Sequence, residues 1–232
     1  MKIVVFGDIH GRLTWYDIIQ KEHPDKVIFL GDYVSTHDDI PADQQLSNLE
    51  DILTYKESDP ERVIMLRGNH DIQHLGYYWA ECSGFDRAVY KHMCVTAFKH
   101  RFLDNTSWIH IEEIGDEQYL FAHAGVSTEW LNYTGLQLED LKWLDPDERF
   151  GFTADDPFDS YGTSKTQSCM WIRPATLYEF PIPDYNQVVG HTPTETIRSF
   201  DMPNNKKLWL CDSLGYDNYL VIEDNKFEPR KL

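Results

Sequence analysis

The sequence predicts an α/β fold in which a parallel sheet is followed by a second, more antiparallel sheet. Three short apolar runs near the N-terminus alternate with amphipathic segments, an order typical of parallel β-α-β units. The runs span residues 2–6, 26–30 and 62–66. After them the pattern changes, because the apolar runs at 108–113 and 118–122 are separated only by a turn. We therefore expect a different sheet in the second half.

Apolar residues at three- and four-residue spacing predict the helices. The first helix is expected over residues 13–22, with its buried side formed by Leu13, Tyr16, Ile19 and Ile18. The second is expected over residues 43–56. Further helices are predicted over 71–80, about 86–102 and within 127–145.

The last third of the chain is less regular. Residues 145–168 are rich in Asp, Pro, Gly, Ser and Thr, and form either a plain surface loop or a lid over a site. A buried strand at 187–189 follows. Short strands at 195–201, 206–211 and 218–224 are expected to complete the second sheet. The whole chain, 1–232, is predicted to be a single domain with a possible loop or lid insertion at about 145–168.

Charge and cysteine content exclude several classes of protein. The net charge is −18, from 39 acidic and 21 basic residues, so the chain repels phosphate backbones and anionic lipid at long range. We expect no general nucleic-acid binding and no membrane association. The four cysteines are scattered without a C-x-x-C pair, which favours reduced thiols in a cytoplasmic protein. No signal peptide or apolar run of membrane-spanning length is evident.

Several predicted strands end in the same way, with a small residue followed by a potential metal ligand. The strand ends are Phe6-Gly7-Asp8, Leu30-Gly31-Asp32, Arg67-Gly68-Asn69, Phe121-Ala122-His123 and Val189-Gly190-His191. Ligands collect beyond the carboxyl ends of strands in open α/β sheets, so these ends are expected to converge. The candidate ligands are Asp8, His10, Asp32, Asn69, His123 and His191. Oxygen and imidazole ligands without thiolate suit Mn, Fe, Zn or Ni.

The number of candidate ligands indicates two ions. Six protein ligands are too many for one catalytic ion that keeps open positions. They suit two ions that share a bridging carboxylate, an arrangement that activates water and stabilises an in-line phosphoryl displacement. The residues alone therefore predict metal-assisted hydrolysis of phosphate esters.

The same motifs resemble, in order, those of the calcineurin-like metallophosphoesterases. They are Gly7-Asp8-Ile9-His10-Gly11, Gly31-Asp32-Tyr33-Val34, Arg67-Gly68-Asn69-His70-Asp71, His123-Ala124-Gly125 and Gly190-His191-Thr192. The similarity is greatest to the branch of serine/threonine protein phosphatases, phage phosphatases and diadenosine tetraphosphatases. The resemblance implies two mixed β-sheets packed as a sandwich flanked by helices, a four-layer fold with a dinuclear metal site at one edge.

The resemblance also implies a role for each residue. Asp8 and His10 would bind the first metal, Asp32 would bridge both, and Asn69, His123 and His191 would bind the second. A metal-bound hydroxide would attack phosphorus, with His70 as proton donor to the leaving oxygen. Arg173, with Asn69 and Arg12, would hold the substrate phosphate. The cofactor would be two divalent or trivalent transition-metal ions, with Mn expected first and Fe, Zn or Ni as alternatives.

The second motif departs from the pattern of this branch. The branch usually continues as Val-Asp-Arg-Gly, whereas this chain has Val34-Ser35-Thr36-His37-Asp38-Asp39. The absent Asp normally orients the catalytic histidine, and the absent Arg helps to hold phosphate. His37, Asp38 or Asp39 could replace one of these functions. Arg12 and Arg67 could supply positive charge, although a structural ion pair is the stronger expectation for Arg67.

Four further residues have weaker assignments. Asp212, in Leu210-Cys211-Asp212-Ser213, resembles a late motif of the branch and is expected to hydrogen-bond a ligand rather than bind metal itself. Trp171 and His37 are candidates for the cleft. His74 is expected on a helix face.

The predicted function is dinuclear-metal-dependent hydrolysis of phosphate esters, by a phosphomonoesterase that resembles the serine/threonine protein phosphatases. Its substrate would be a phosphorylated small molecule, a nucleotide or a phosphoprotein. The alternative is a nucleotide pyrophosphohydrolase or phosphodiesterase such as a diadenosine tetraphosphatase, whose cleft would need aromatic stacking and more positive charge. A non-catalytic scaffold is the weakest alternative, because the six ligands and His70 are all present.

Overall fold

Two five-stranded sheets form the centre of the structure. The computed structural model describes residues 1–36, 38–153 and 161–232. The strands are β1 (Lys2–Phe6), β2 (Lys26–Phe29), β3 (Val63–Met65), β4 (Ile109–Ile114), β5 (Glu117–Ala122), β6 (Tyr185–Val189), β7 (Arg198–Asp201), β8 (Lys207–Leu210), β9 (Asn218–Glu223) and β10 (Lys226–Lys231).

Seven α-helices lie among the described residues. They are α1 (Thr14–Glu22), α2 (Ala42–Ser58), α3 (Asn69–Gln73), α4 (Arg87–Met93), α5 (Thr96–Asn105), α6 (Thr128–Thr134) and α7 (Pro174–Glu179). Short 3-10 helices occur at Tyr78–Ala80, Leu138–Lys142, Glu148–Phe150 and Leu214–Tyr216. No described helix is both long enough and apolar enough to cross a bilayer.

Both sheets are mixed. The first has the order β10-β9-β1-β2-β3, in which β1, β2 and β3 run parallel and β9 is antiparallel to β1. The second has the order β4-β5-β6-β8-β7, in which β5, β6 and β8 run parallel and each outer strand is antiparallel. The expected α/β class, with two mixed sheets flanked by helices, is confirmed.

The predicted division of strands between the sheets is wrong in part. The strand predicted at 218–224 does not complete the second sheet, because β9 pairs with β1 in the first. The additional strand β10 pairs with β9 by a hairpin at Asp224-Asn225. The second sheet is also less antiparallel than expected. An apolar segment such as β9 is compatible with the centre of either sheet, so its partner is decided by long-range packing.

The predicted helices differ from the observed ones mainly in extent. The helix expected over 71–80 is the short α3, which ends before Gly76 takes up a left-handed conformation with φ of 83°. The helix expected over 86–102 is divided into α4 and α5 by residues 94–95. Helix α7, which begins with Pro174 at its first turn, has no counterpart in the sequence prediction.

The buried side of α1 also differs from the prediction. The structure buries Trp15, Ile18 and Ile19, whereas Leu13 and Tyr16 are 52% and 57% exposed. Trp15 spans the gap to α2, where its indole N–H donates to Asn48 Oδ1 at 2.7 Å. Trp15, Ile18 and Ile19 keep the three- and four-residue spacing. The prediction is therefore correct for the helical period and for Ile18 and Ile19, and wrong for Leu13 and Tyr16.

The core between the two sheets holds the ligand-bearing strand ends in place. Alternate residues of β1 and β2, such as Ile3, Val5 and Ile28, face Phe121 and Val188 from the second sheet. The opposite face of β1 and β2, with Val4, Phe6 and Phe29, belongs to the larger core that includes α1 and α2. Because β1 and β2 are covered on both faces, they are nearly continuous apolar runs, which explains why they can be recognised from sequence.

Arg67 is buried at the end of β3 and has a structural role, but it forms no ion pair with any residue that the structure describes. Its guanidinium donates to Leu144 O at 2.8 Å, to Leu103 O at 2.9 Å, and to both oxygens of Thr106. It also lies 4.9 Å from the ring centre of Trp108. The side chain is only 4% exposed, so it joins β3 to the α5–β4 connection rather than facing substrate.

We expect Arg67→Met to lower the free energy of unfolding by roughly 3 kcal/mol, because several buried carbonyl oxygens lose a charged donor. Urea denaturation measures this change. The KM of the folded variant for a phosphate ester should equal that of the parent. A raised KM with unchanged stability would instead place Arg67 at the phosphate.

Candidate metal centre

The strand ends of both sheets meet at one edge of the sandwich. Asp8 follows β1 and His191 follows β6, and the backbone N–H of His191 donates to Asp8 Oδ1 at 2.9 Å. His123 follows β5, and its Nδ1–H donates to the carbonyl oxygen of Leu30, after β2, at 2.9 Å. These two hydrogen bonds join the first sheet to the second at the site. The convergence expected from the sequence is therefore present.

One group of ligand atoms comes from the first sheet. Nε2 of His10 lies 3.8 Å from Asp8 Oδ2 and 3.9 Å from Asp32 Oδ2. His10 Nδ1 donates to the carbonyl oxygen of Val34 at 3.1 Å, and since a carbonyl only accepts, this nitrogen carries the proton. Nε2 is then the nitrogen available to a metal, the arrangement typical of ligating histidines.

A second group joins both sheets around Asp32. His123 Nε2 lies 3.4 Å from Asp32 Oδ2 and 2.9 Å from Asn69 Oδ1. The candidate ligand atoms of Asp32, His123 and His191 lie within 4.8 Å of one another, as do those of Asp8, His10 and Asp32. Asp32 therefore belongs to both groups, as expected for a bridging residue.

The glycines before the ligands are required by close approach. A Cβ atom at Gly190 would lie 2.3 Å from Asp8 Oδ1, and one at Gly68 would lie 2.1 Å from Asp32 Oδ1. Both distances are far below a van der Waals contact, so any larger residue would displace a carboxylate. This is the physical reason for a glycine at these two strand ends.

Asp71 holds two of the loops together, a role that the sequence analysis does not assign to it. Its Oδ2 accepts hydrogen bonds from the backbone N–H groups of Asp32 at 2.9 Å and Gly68 at 3.0 Å. Its Oδ1 accepts from the N–H of Tyr33 at 2.8 Å. The side chain is fully buried. An acidic residue in the first turn of a helix that begins at a motif is the signal that could have found it.

Burial and crowding shape the electrostatics of the site. Burial raises the pKa values of Asp8 and Asp32 well above the usual range, and repulsion among neighbouring carboxylates, including Asp212, adds to the shift. Burial also raises the pKa of Asp212 to about 6. It lowers the pKa of His123 to about 3 and that of His191 well below its usual value. Neutral imidazoles beside crowded carboxylates form an environment that favours cations.

These residues fit a pair of metal ions. Nε2 of His191 is buried and has no hydrogen-bond partner among the described residues, although it lies in the second group. A neutral imidazole nitrogen in that position has a lone pair available for coordination. Carboxylate, amide and imidazole donors suit first-row transition metals.

His70 lies at the start of α3, between the metal groups and the loop after β2. Its backbone N–H donates to Asp32 Oδ1 at 2.9 Å. Its ring lies edge-on to His10 with a 5.3 Å centroid separation, and Nδ1 lies 2.9 Å from Ser35 Oγ. The nearby His74 is buried, and its Nδ1 donates to the carbonyl oxygen of His70 at 2.7 Å. His74 therefore supports this helix and does not line the cleft.

A cleft of about 530 Å³ opens beside the candidate ligands. Three aromatic side chains, Phe152, Tyr161 and Trp171, lie on its wall. Trp171 is thus placed as the sequence predicts, and its indole N–H is buried without a hydrogen-bond partner among the described residues. Glu81 and Cys82 complete the side nearest His70 and were not recognised from sequence, where a weakly patterned loop gives no signal.

Arg173 lines this cleft, as expected. Its Nη1 donates to His191 O at 3.0 Å and to Thr192 Oγ1 at 3.2 Å, and its Nε donates to Tyr161 O at 2.9 Å. No described carboxylate forms an ion pair with it. These hydrogen bonds hold the positive charge of Arg173 close to the metal groups. The guanidinium can still form an ion pair with an anion that enters the cleft.

Arg12 is placed differently. Its guanidinium forms an ion pair with Asp38, and it is not among the described residues that line the cleft. Its charge nevertheless opposes the rise in the pKa values of Asp8 and Asp212. Asp38 is thus engaged with Arg12 and not with His70. His37 lies outside the described residues, as does the 154–160 part of the possible lid.

The flanks of the possible lid pack against the body of the protein. Thr153 and Gln167 exchange two hydrogen bonds, at 2.8 Å and 2.9 Å, which close the base of the segment. Phe150 is fully buried and stacks on Trp108 with a 3.9 Å centroid separation. Phe152 and Tyr161, on either side of residues 154–160, both reach the cleft.

Comparison with known proteins supports the resemblance seen in the motifs. A family model described as calcineurin-like phosphoesterase matches residues 1–217. A protein phosphatase 2A catalytic subunit from Dictyostelium discoideum is 27% identical over 174 residues, which cover 65% of this chain and 51% of that protein. The chain thus spans about half the length of this relative.

Solved structures share the fold. A mutant of a cold-active protein tyrosine phosphatase has a TM-score of 0.64 at 18% identity, covering 99% of this chain and 77% of the other. A protein serine/threonine phosphatase from Saccharomyces cerevisiae has a TM-score of 0.61 at 16% identity, covering 100% and 80%. A metallophosphoesterase from Sphaerobacter thermophilus has a TM-score of 0.55 at 13% identity, covering 100% and 88%. At these identities the likeness concerns the fold alone.

We expect Mn²⁺ to stabilise the chelator-treated protein more at about pH 7.5 than at about pH 5. The carboxyls of Asp8 and Asp32 have raised pKa values, so at the lower pH their protons compete with the metal. Burial lowers the pKa of His123 to about 3, so this imidazole remains neutral at both pH values, and it lowers the pKa of His191 in the same direction. At a metal concentration a hundred times Kd, the stabilisation should be about 2.7 kcal/mol.

Thermal unfolding with and without Mn²⁺ at the two pH values makes this measurement. Asp32→Asn is the matched control, because it keeps the side-chain shape and removes the shared charge. Equal stabilisation at both pH values, or full stabilisation of the control, would contradict a site built on these carboxylates.

Proposed function

The chain belongs to the calcineurin-like phosphoesterase family, and we propose that it is a metal-dependent phosphoesterase, specifically a two-metal phosphomonoesterase. The observation that carries this proposal is the sharing of Asp32 by two groups of ligand atoms, one with Asp8 and His10 and one with His123 and His191. Asn69 Oδ1 lies 2.9 Å from His123 Nε2, so it adds a potential oxygen ligand to the second group.

The two ions would supply Lewis-acid activation of water and of the phosphoryl oxygens when bound, and Mn²⁺ is the first candidate. The protein's own contribution is to hold the ligands in fixed orientations. His10 and His123 each donate Nδ1–H to a backbone carbonyl, so that both turn Nε2 toward the site. Asp8 and Asp32 are oriented by the backbone N–H groups of His191 and His70.

Arg173 is proposed to bind the phosphate. Its guanidinium lines the cleft and is held by Thr192, by the carbonyl of His191 and by the carbonyl of Tyr161. Burial lowers the pKa of Arg173. A guanidinium group is not deprotonated in proteins, so the charge is retained. A guanidinium recognises two phosphate oxygens at once. Asn69, which lines the same cleft, would assist. Arg12 would contribute its positive charge, which opposes the rise in the pKa values of Asp8 and Asp212.

His70 is proposed to donate a proton to the leaving oxygen. It lines the cleft beside Asp32 and is placed on α3, one residue after Asn69. This position brings the ring close to the metal groups without making it a member of either. Proton donation matters most for substrates whose leaving group is a poor one, such as an alkyl or seryl oxygen.

The charge of the cleft favours a substrate with one phosphate. Arg173 is the only arginine or lysine among the described residues that line it, whereas Asp8, Asp32, Asp212 and Glu81 are acidic. A dinucleoside polyphosphate would need more cations than this cleft presents. A dinucleotide hydrolase would also need aromatic side chains that stack on the bases, and Phe152, Tyr161 and Trp171 line the cleft. A nucleotide substrate is therefore included in the test. The relatives named as protein phosphatases make phosphopeptides the second class to compare.

The whole chain, 1–232, is proposed to form one catalytic domain. Strand β9 pairs with β1 and strand β10 pairs with β9, so both complete the sheet that carries Asp8 and Asp32. The 145–168 segment is proposed as an insertion at the rim of the cleft, since Phe152 and Tyr161 both reach it.

A panel of phosphate esters tests the proposed activity. With Mn²⁺, we expect turnover of p-nitrophenyl phosphate and phosphopeptides to exceed turnover of bis(p-nitrophenyl) phosphate and diadenosine tetraphosphate, because one arginine and two ions suit one phosphoryl group. Asp32→Asn should remove at least about a hundredfold of the rate, since it alters both metal groups. Turnover confined to the diester or the dinucleotide would contradict the monoesterase proposal. Full activity of Asp32→Asn would contradict the shared carboxylate.

A further inference from the structure

A buried serine hydroxyl lies directly beside the ring of His70. Ser35 is 1% exposed, and its Oγ is 2.9 Å from His70 Nδ1. The same Oγ forms a short hydrogen bond with the carbonyl oxygen of Gly84. A carbonyl oxygen only accepts, so the hydroxyl hydrogen of Ser35 is directed to Gly84. Its oxygen is then left to accept the hydrogen on Nδ1 of His70.

The backbone holds this serine in an unusual conformation. Ser35 has a φ of 68°, in the left-handed region that non-glycine residues seldom adopt. Its N–H donates to Gln45 Oε1 at 2.7 Å, and Gln45 Nε2 donates to Ile40 O at 2.8 Å. Gln45 itself is buried on α2. Helix α2 therefore fixes the loop in the conformation that points Oγ at His70.

Other polar atoms near Nδ1 are weaker candidates to accept its hydrogen. Gln73 Oε1 accepts from Cys82 N at 3.3 Å, which identifies the opposite atom of that amide as nitrogen, a donor. This nitrogen lies 3.2 Å from Nδ1, and it donates to Ser83 O at 3.3 Å and to Ser35 Oγ at 3.5 Å. The sulfur of Cys82 is 3.9 Å from Nδ1 and is a weak acceptor. Of these three groups, the hydroxyl of Ser35 is both the nearest and the best acceptor.

We propose that Ser35 is the positioning residue for His70, with Gly84 O as its anchor, an inference that rests on the proposed function. As a water oxygen bonds to phosphorus and the bond to the leaving oxygen breaks, the protonated ring gives its Nε2 proton to the leaving oxygen. The ring is left neutral with its remaining proton on Nδ1, still bonded to Ser35, and regains a proton from water. Ser35 does not touch the substrate and acts only by fixing the orientation and tautomer of the ring.

This assignment gives a function to the segment where the motif pattern breaks. The carboxylate expected at position 35 from the resemblance is absent, and Asp38 does not take its place beside His70, because it pairs with Arg12. A neutral hydroxyl that also donates to Gly84 can occupy this position. A carboxylate could not make that second bond, because it would face a carbonyl oxygen with no hydrogen between them.

Rates with two leaving groups test the proposal. Ser35→Gly removes the hydroxyl and accepts the left-handed backbone without strain. We expect its kcat for an alkyl phosphate to fall about tenfold, since a misoriented general acid loses part of its contribution. The fall should be several times smaller for p-nitrophenyl phosphate, whose leaving group needs little protonation. KM and metal content should be unchanged.

A double-mutant cycle separates positioning from a general structural effect. In a His70→Ala background, Ser35→Gly should cause no further loss of kcat, because the ring that it orients is gone. Thr36→Ala is the matched control, since it removes the neighbouring hydroxyl, which accepts from Asp38 N at 2.8 Å. This control should retain the parental rate. Equal losses for both leaving groups, further loss in the His70→Ala background, or no loss at all would overturn the proposal.

Two further measurements keep the test independent of variant folding. Ser35→Ala provides a second variant that lacks the hydroxyl. In the Zn²⁺-loaded parent, ¹⁵N NMR should show neutral His70 with its proton on Nδ1, and the opposite tautomer would overturn the proposal. A parent protein that binds metal but hydrolyses neither ester would instead refute the proposed function. An active parent with an unaffected Ser35→Gly variant would refute only the role of Ser35.

Discussion

The carboxylate of Asp71 is the interaction on which the geometry of the site most depends. It accepts backbone N–H groups from Gly68, Asp32 and Tyr33, and so ties the loop after β2 to the start of α3. That one tie sets the separation between Asp32, Asn69 and His70. It also fixes the start of the loop that carries Ser35. A buried carboxyl group that accepts several backbone N–H groups is held in a fixed position and direction, which a site needing sub-ångström placement requires.

Placing several carboxyl groups together at the site costs electrostatic free energy, and this cost explains why the site favours cations. Asp8, Asp32, Asp71 and Asp212 lie close together in the protein interior, and burial raises the pKa of each. Burial also keeps His123 and His191 neutral. The carboxylates in such a cluster repel one another and attract cations. Metal binding therefore offsets the free energy that is lost when these groups are buried together on folding. The chain's general acidity contributes little to this, because most of its acidic residues lie elsewhere on the surface.

The parts of the site that are encoded locally could be predicted from the sequence. Asp8 and Asp32 follow apolar strands closely, and β1, β2 and β3 are short buried runs that allow few other structures. The role of Ser35 could not be predicted, because Gln45 and Gly84, which hold it, come from other parts of the chain. The same holds for β9, whose partner is decided by packing. Arg67 is structural, as expected, but its partners are carbonyl oxygens of residues far along the chain.

We propose that Asp32 bridges two ions held by residues from both sheets. Anomalous diffraction from crystals grown with Mn²⁺ measures this arrangement. We expect two manganese peaks about 3.5–4 Å apart, with Asp32 bound to both, His10 on one and His123 on the other. A single peak, or two peaks with Asp32 bound to only one, would contradict it.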